Sequence, residues 1–274
     1  MISRHLYEET VRAALREDAP FGDPFGQAFH GVASGLFLAG GDGLLCGGPV
    51  ASEVFRQVDP SVSISFSPEG CRVARGDRVG NASGPAGSLL RAERVALNFL
   101  QRLSGVATAT ALYASRIASH GTKLLDTRKT TPLLRVLEKY AVRVGGGTNH
   151  RFSLSDGILI KENGIRAAGG IAPAVAAARS AAHHLLRVEV EAETLPDVEA
   201  AVAAGADAVL LDNMSPSMVR KAVARFGEIV FLEASGGINL GNVEEYARTG
   251  VAAVAVGAIT HSAPAFDISF ELST

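Results

Sequence analysis

The sequence predicts an α/β fold, with a small antiparallel sheet in its first half and parallel β-α units in its second. Residues 31–86 are rich in glycine and hold short apolar runs such as GLFLAG, GLLCGG and SISFS, each soon followed by a turn signal. From Lys123 onward, short apolar runs alternate with helical segments about every 22 residues. That rhythm belongs to a parallel sheet or a (β/α) barrel.

The elements follow in order. Residues 5–17 read as a short helix on which Leu6, Val11 and Leu15 share a face. The glycine-rich sheet comes next, with turns at SPEG and ARGDRVGNASG. Residues 87–120 then read as one long helix through Leu90, Val95, Leu97, Leu100 and Leu103, with Gly105 as the expected point of interruption. KLLD, GILIKEN, LLRVEVEAE, DAVLLDN, EIVFLEASGG and AAVAVGA read as strands, and the segments between them as helices. Right-handed crossovers would lay those strands side by side with the helices outside. The chain therefore divides at residues 1–106 and 107–274.

Composition narrows the function. The 274 residues are 47% hydrophobic and 20% charged, which describes a folded globular protein. A net charge of −2 argues against a general nucleic-acid binder. No stretch approaches the roughly 20 apolar residues of a membrane span. Cys46 and Cys71 fit neither a metal site nor a disulfide framework, which points to a reducing, cytoplasmic setting. The N-terminal segment is amphipathic and lacks the apolar core of a signal peptide.

Each expected strand ends in a chemically useful residue. LLD runs into Thr127, Arg128 and Lys129; ILIKEN ends at Lys161 and Glu162; RVEVEAE carries Glu191; VLLDN ends at Asp212; VFLEASGG ends at Glu233, Ser235, Gly236 and Gly237; VAVGA ends at Gly257 and Ala258. Barrel enzymes build their sites at this rim, and phosphate often sits on the loops after the last two strands. Glu191 and Asp212 offer oxygen ligands for Mg²⁺, or one of them an ion pair to Lys161. Arg128, Lys129, His150, Arg151 and Lys161 gather on or near the same rim, as a pocket for a small anionic acid requires. Arg135, Lys139 and Arg143, on a helix between them, read as a solvated face. His183 and His184 read as solvated residues at a helix end.

At these residues the chain resembles the quinolinate phosphoribosyltransferase family, the decarboxylating nicotinate-nucleotide pyrophosphorylases. AERVALNFLQRLSGVATAT, DTRKTTP, EKYAVRVGGGTNHR, ILIKEN, VLLDNMS, LEASGGI and VGAITHS stand in the family's order and spacing. The resemblance implies an N-terminal open α/β sandwich followed by an incomplete (β/α) barrel. It implies a homodimer, or a dimer-based oligomer, with shared active sites, in which Arg94 reaches the partner's substrate carboxylate. It implies that Arg128, Lys129, His150, Arg151 and Lys161 bind quinolinate. Glu191 and Asp212 are then the acids near the ribose and Mg²⁺ of phosphoribosyl pyrophosphate. Ser235, Gly236, Gly237, Gly257 and Ala258 then form its 5′-phosphate site. The implied catalytic group is Lys129, Lys161, Glu191 and Asp212, and the implied product is nicotinate mononucleotide for NAD biosynthesis.

Three places depart from the family pattern. Gly164 stands where His is usual, Leu133 where Gly is usual, and GDPFG where GD is commonly followed by ITT. These departures leave two rival readings. One is a paralogous phosphoribosyltransferase for another aromatic acid, of the type associated with molybdenum-transport gene clusters. The other is a weakly catalytic sensor of a phosphorylated ligand.

Overall fold

The computed structural model describes residues 2–273, and its secondary structure follows the alternation read from the sequence. The elements are α1 (Glu8–Asp18), β1 (Val32–Ala39), β2 (Gly43–Leu44), α2 (Gly48–Val58), β3 (Ser63–Phe66), β4 (Arg72–Val73), β5 (Arg78–Pro85) and α3 (Ala86–Ile117). They continue as β6 (Lys123–Leu125), α4 (Arg135–Val144), β7 (Ile158–Ile160), α5 (Glu162–Ala168), α6 (Ile171–Ala181), β8 (Val188–Ala192), α7 (Leu195–Ala203) and β9 (Ala208–Asp212). The chain closes with α8 (Pro216–Phe226), β10 (Phe231–Ser235), α9 (Val243–Ala247), β11 (Ala253–Ala255), α10 (Ala258–His261) and β12 (Ile268–Ser273).

Two compact units result. The first comprises residues 1–111, 130–146 and 259–274, and the second residues 112–129 and 147–258. They do not coincide with a single cut at 106/107. The C-terminal tail joins the first unit because β12 pairs antiparallel with β1, from Ser34↔Ser273 to Ala39↔Ile268. Residues 130–146 join it through buried side chains, described below, that no local pattern announces.

In the first unit the sheet order is β12-β1-β5-β3. β1 alternates exposed and buried residues along its length, as a sheet with one covered face must. Phe37 on the covered face packs its ring 4.5 Å from Phe270, 4.9 Å from Phe66 and 6.0 Å from Phe55. Phe55 belongs to α2, a helix the glycine-rich texture of residues 31–86 concealed. Gly47 precedes α2 at φ +106°, and Pro49 stands in its first turn, where a missing N–H costs nothing. The Glu69 carboxylate accepts the N–H groups of Gly47 and Gly48 at the helix start and the Tyr140 hydroxyl at 2.7 Å.

α3 runs through Gly105 without a break. A Cβ at Gly105 would lie 2.0 Å from the Pro264 carbonyl oxygen, so the glycine serves close approach between backbones.

The second unit is a six-stranded parallel sheet ordered β6-β11-β10-β9-β8-β7. This is the circular order of a barrel opened between β6 and β7, with every strand ending at one rim. Buried Val188, Val190, Val209, Leu211, Leu232 and Ala234 hold the helices against it.

Candidate active site

Strand alternation and register build the site in layers. Residues two apart on a strand share a face, so Glu189 and Glu191 of β8 line the same side, as do Leu210 and Asp212 of β9 and Glu233 and Ser235 of β10. Register sets Glu191 beside Leu210, and Ser235 beside Asp212. Glu233 is also beside Leu210, so Asp212 and Ser235 form the uppermost row, Glu191, Leu210 and Glu233 the next, and Glu189 lies one row beneath.

A cavity of about 300 Å³ opens over these layers, wholly within the second unit. It brings together Thr127, Arg128, Lys129, His150, Arg151, Lys161, Glu191, Asp212, Glu233 and Ser235 of the rim residues read from sequence, and adds Leu159, Leu210 and Ala255. Gly236 and Gly237 follow directly on β10, at φ +92° and +64°. A Cβ at Gly236 would meet Asn213 Oδ1 at 2.2 Å, so glycine is required there. Gly257 and Ala258 lead from β11 into α10. Arg94 lies outside the cavity, exposed on the part of α3 that belongs to the first unit.

Asp126 shapes the cation cluster. It is fully buried, and its carboxylate accepts the His150 backbone N–H at 2.8 Å and the Asn149 side-chain amide at 2.7 Å. Thr148 bridges to Leu125, so residues 149–151 extend from that pairing toward the cavity. Arg151 donates to the Gly157 carbonyl at 2.8 Å. Burial, together with the neighbouring Arg128 charge, pulls the Arg151 value down. Such crowding of like charges calls for an anion between them.

Lys161, mostly exposed at the N-terminus of α5, donates to Glu191 at 2.7 Å. Asp212 is pushed up from the usual carboxylate range, first by burial and then by the Glu191 charge, against a hydrogen bond from Asn213. Two carboxylates held in mutual repulsion are a donor set that a divalent cation would relieve.

His150 turns its ring nitrogens to the protein. Its Nδ1 accepts the Arg151 backbone N–H at 2.7 Å, which leaves the ring proton on Nε2, 3.1 Å from Glu189 and 3.6 Å from Glu233. His150, Glu189 and Glu233 offer ligand atoms within 4.8 Å of one another. A cation at Nε2 would need a ring with neither proton, because Nδ1 is already an acceptor. A hydrogen bond from His150 to Glu189 meets the same geometry without that cost.

Several sequence expectations change here. Lys139 is not part of a solvated face: it is 3% exposed in α4, beside the fully buried Glu138. Arg135 is partly buried and donates to Thr130 Oγ1 at 3.0 Å, while Arg143 is exposed as expected. Glu189 and Asp126 were missed as site residues, and the sequence marks Glu233 only as a strand-end acid with no assigned role. The alternation in RVEVEAE was the available signal for Glu189, since it shares a face with Glu191. Gly164 lies exposed in α5 with only Ile160 Cγ2 within 4 Å of where a Cβ would be, so no backbone contact requires glycine. The GDPFG segment forms a turn in which Asp23 Oδ1 accepts the N–H groups of Phe25 and Gly26.

Known proteins resemble this chain over its length. Residues 29–104 match the family model for the N-terminal domain of quinolinate phosphoribosyl transferase, and residues 106–271 that for its C-terminal domain. A probable nicotinate-nucleotide pyrophosphorylase [carboxylating] of Bacillus subtilis is 42% identical, covering 94% of this chain and 90% of that protein. A tobacco (Nicotiana tabacum) quinolinate phosphoribosyltransferase [decarboxylating] is 37% identical, over 96% of this chain and 81% of its own length. The structure of the nicotinate-nucleotide pyrophosphorylase from Francisella tularensis superposes with a TM-score of 0.95 at 40% identity, covering 100% of this chain and 98% of that one. With both domain models matched in order and the rim residues gathered in one cavity, the chain belongs to the quinolinate phosphoribosyl transferase family.

Proposed function

We propose that this protein joins quinolinate to phosphoribosyl pyrophosphate, forming nicotinate mononucleotide and releasing pyrophosphate and CO₂, as a step of NAD biosynthesis. The observation that carries the reading is the single cavity where Arg128, Lys129, Arg151 and Lys161 face Glu191 and Asp212. The cations hold the pyridine dicarboxylate with its ring nitrogen toward ribose C1, an orientation effect. As pyrophosphate departs, C1 gains positive character, and Glu191 and Asp212 favour that charge. Ser235, Gly236, Gly237, Gly257 and Ala258 supply small residues and backbone N–H groups for the 5′-phosphate.

The Glu191–Asp212 pair fits Mg²⁺, because a cation would offset both the burial and the Glu191 charge that raise Asp212. When bound, Mg²⁺ would neutralise the pyrophosphate leaving group. Arg94, exposed on α3, is free to serve the site of a second copy in a homodimer. No helix among the described residues is long and apolar enough to cross a membrane, and with two free cysteines this supports a cytoplasmic enzyme.

The test is a product assay with quinolinate, phosphoribosyl pyrophosphate and Mg²⁺. Nicotinate mononucleotide and CO₂ should appear in equal amounts. Turnover of another aromatic acid with none of quinolinate would replace this reading with that of the altered-substrate paralogue, and ligand binding without any turnover would favour the sensor.

A further inference from the structure

The floor of the cavity holds a carboxyl group that neither substrate binding nor metal binding uses. Glu233 lines the cavity yet is only 2% exposed, and its Oε1 has no hydrogen-bond partner. Its other oxygen lies 3.6 Å from His150 Nε2. A buried carboxylate with one orphaned oxygen is costly, whereas a buried carboxylic acid is far less so. Burial, then the charges of Glu189 and Asp126, push Glu233 well above the usual carboxylate range. The proposed substrate adds two more carboxylates above this floor, which favours the neutral form further.

Loss of CO₂ from the pyridine requires a proton. When the C2–carboxylate bond breaks, its electron pair stays on C2 beside the cationic ring nitrogen, and a C–H bond must form there. The neighbouring groups serve poorly as its source. Both ring nitrogens of His150 are engaged with Arg151 and Glu189. Arginines hold their protons too tightly to give them up. Lys129 and Lys161 are exposed at the rim and open to water.

We propose that Glu233 is the proton donor of the decarboxylation. The C2–carboxylate bond breaks and CO₂ leaves. The Glu233 O–H bond then breaks, its proton passes to C2, and Glu233 is left as a carboxylate that solvent reprotonates after product departs. Beneath it, the hydrogen bond from His150 to Glu189 fixes the ring at the base of the donor. The proposal rests on the quinolinate reading, which the same experiment checks separately.

The experiment is single turnover with quinolinate, phosphoribosyl pyrophosphate and Mg²⁺, following pyrophosphate and nicotinate mononucleotide in parallel. In wild-type enzyme the two should keep pace. Glu233→Gln keeps the shape and removes the acid. It should release pyrophosphate within about threefold of the wild-type rate and form nicotinate mononucleotide about 100-fold more slowly, the scale of a lost general acid. The phosphoribosylated dicarboxylate should accumulate, and Glu233→Asp should recover part of the second step. Equal loss of both products would make Glu233 structural, and no loss would make it idle; either result overturns the proposal. A wild-type enzyme that makes no nicotinate mononucleotide would instead overturn the functional reading, and this proposal with it.

A second arm needs no variant. Glu233 is faced by His150, Glu189 and Asp126, with Arg128 and Arg151 also on the cavity wall. As pH rises through its raised value, the wild-type ratio of nicotinate mononucleotide formation to pyrophosphate release should fall. A ratio flat with pH overturns the proposal.

Discussion

Replacing Glu138 with alanine should destabilise the first unit by about 3 kcal/mol. The Glu138 side chain is fully buried in α4. Its Oε1 accepts from Arg102 Nε at 3.0 Å and Nη2 at 2.6 Å, and its Oε2 accepts the Thr131 N–H at 3.0 Å. Alanine orphans that N–H and leaves the Arg102 charge without its anion. Removing one partner of a buried pair costs about 3–5 kcal/mol. Two effects place the value at the low end. Arg102 is 24% exposed, so water reaches part of it, and it keeps the carbonyls of Thr260 and Ala263 as acceptors. At roughly 2–4 °C per kcal/mol for a chain of this size, the midpoint should drop by about 6–12 °C. The sequence has no tryptophan, so far-ultraviolet circular dichroism is the suitable probe. The double variant Arg102→Met with Glu138→Leu should recover much of the loss, because two apolar groups leave no buried charge unpaired. A midpoint shift under about 2 °C for Glu138→Ala would mean that solvent already screens the pair, and the reasoning would be wrong.

Leu133→Gly should stabilise the protein by about 0.5–1 kcal/mol. Leu133 sits at φ 66°, a conformation costing an L-residue roughly 1–2 kcal/mol, and its 91% exposed side chain gives up no packing, while glycine's extra freedom takes back part of the gain. Destabilisation in urea would show that the side chain makes a contact after all. Glu53 provides a pH signature. Burial opposes its charge, yet hydrogen bonds from Arg56, Gln57 and Arg4 prevail and hold it at about 2. A lowered folded-state value stabilises the fold above the unfolded value near about 4.3 and loses that contribution as pH falls toward about 2. The gap between wild type and Glu53→Gln should therefore be about 2–3 kcal/mol at neutral pH and close near pH 2; a gap constant across that range would refute it. Arg94→Ala and Lys161→Ala should each be nearly inactive alone. Mixed with subunit exchange confirmed by native mass spectrometry, they should recover roughly a quarter of wild-type activity, since about half the dimers become heterodimers with one intact site. Recovery of none would remove Arg94 from the neighbour's site. Asp212→Asn should keep its fold and raise the Mg²⁺ concentration needed for turnover, and an unchanged Mg²⁺ titration would assign the acid to structure alone.

Most of the architecture is written locally. A strand end is marked by where an apolar run meets a polar residue, so the sequence alone places Arg128, Lys161, Glu191, Asp212 and Ser235 on one rim. Parallel β-α units then leave little freedom, because crossovers of one hand bring successive strand ends to the same side. The paired glycine loops after the last two barrel strands marked a phosphate site by position, and the family resemblance added Arg94, which no local pattern singles out.

Burial of charge is where local reading fails, because it is decided by residues far away in the chain. Lys139 and Glu138 have the spacing of a polar helix face, and only contacts from distant segments such as Arg102 make that face interior. Gly105 looked like a helix break until the Pro264 carbonyl gave it another purpose. Glu233 looked like one more strand-end acid. Its depth comes from the sheet around it, which sets Glu189 and Asp126 near it, and the upward push on its carboxyl follows first from the water that burial excludes. Sequence by itself determined which groups stand at the rim, since the periods of helix and strand are local. Tertiary structure alone decided which carboxyl groups are dry, since desolvation belongs to the assembled surroundings of a residue.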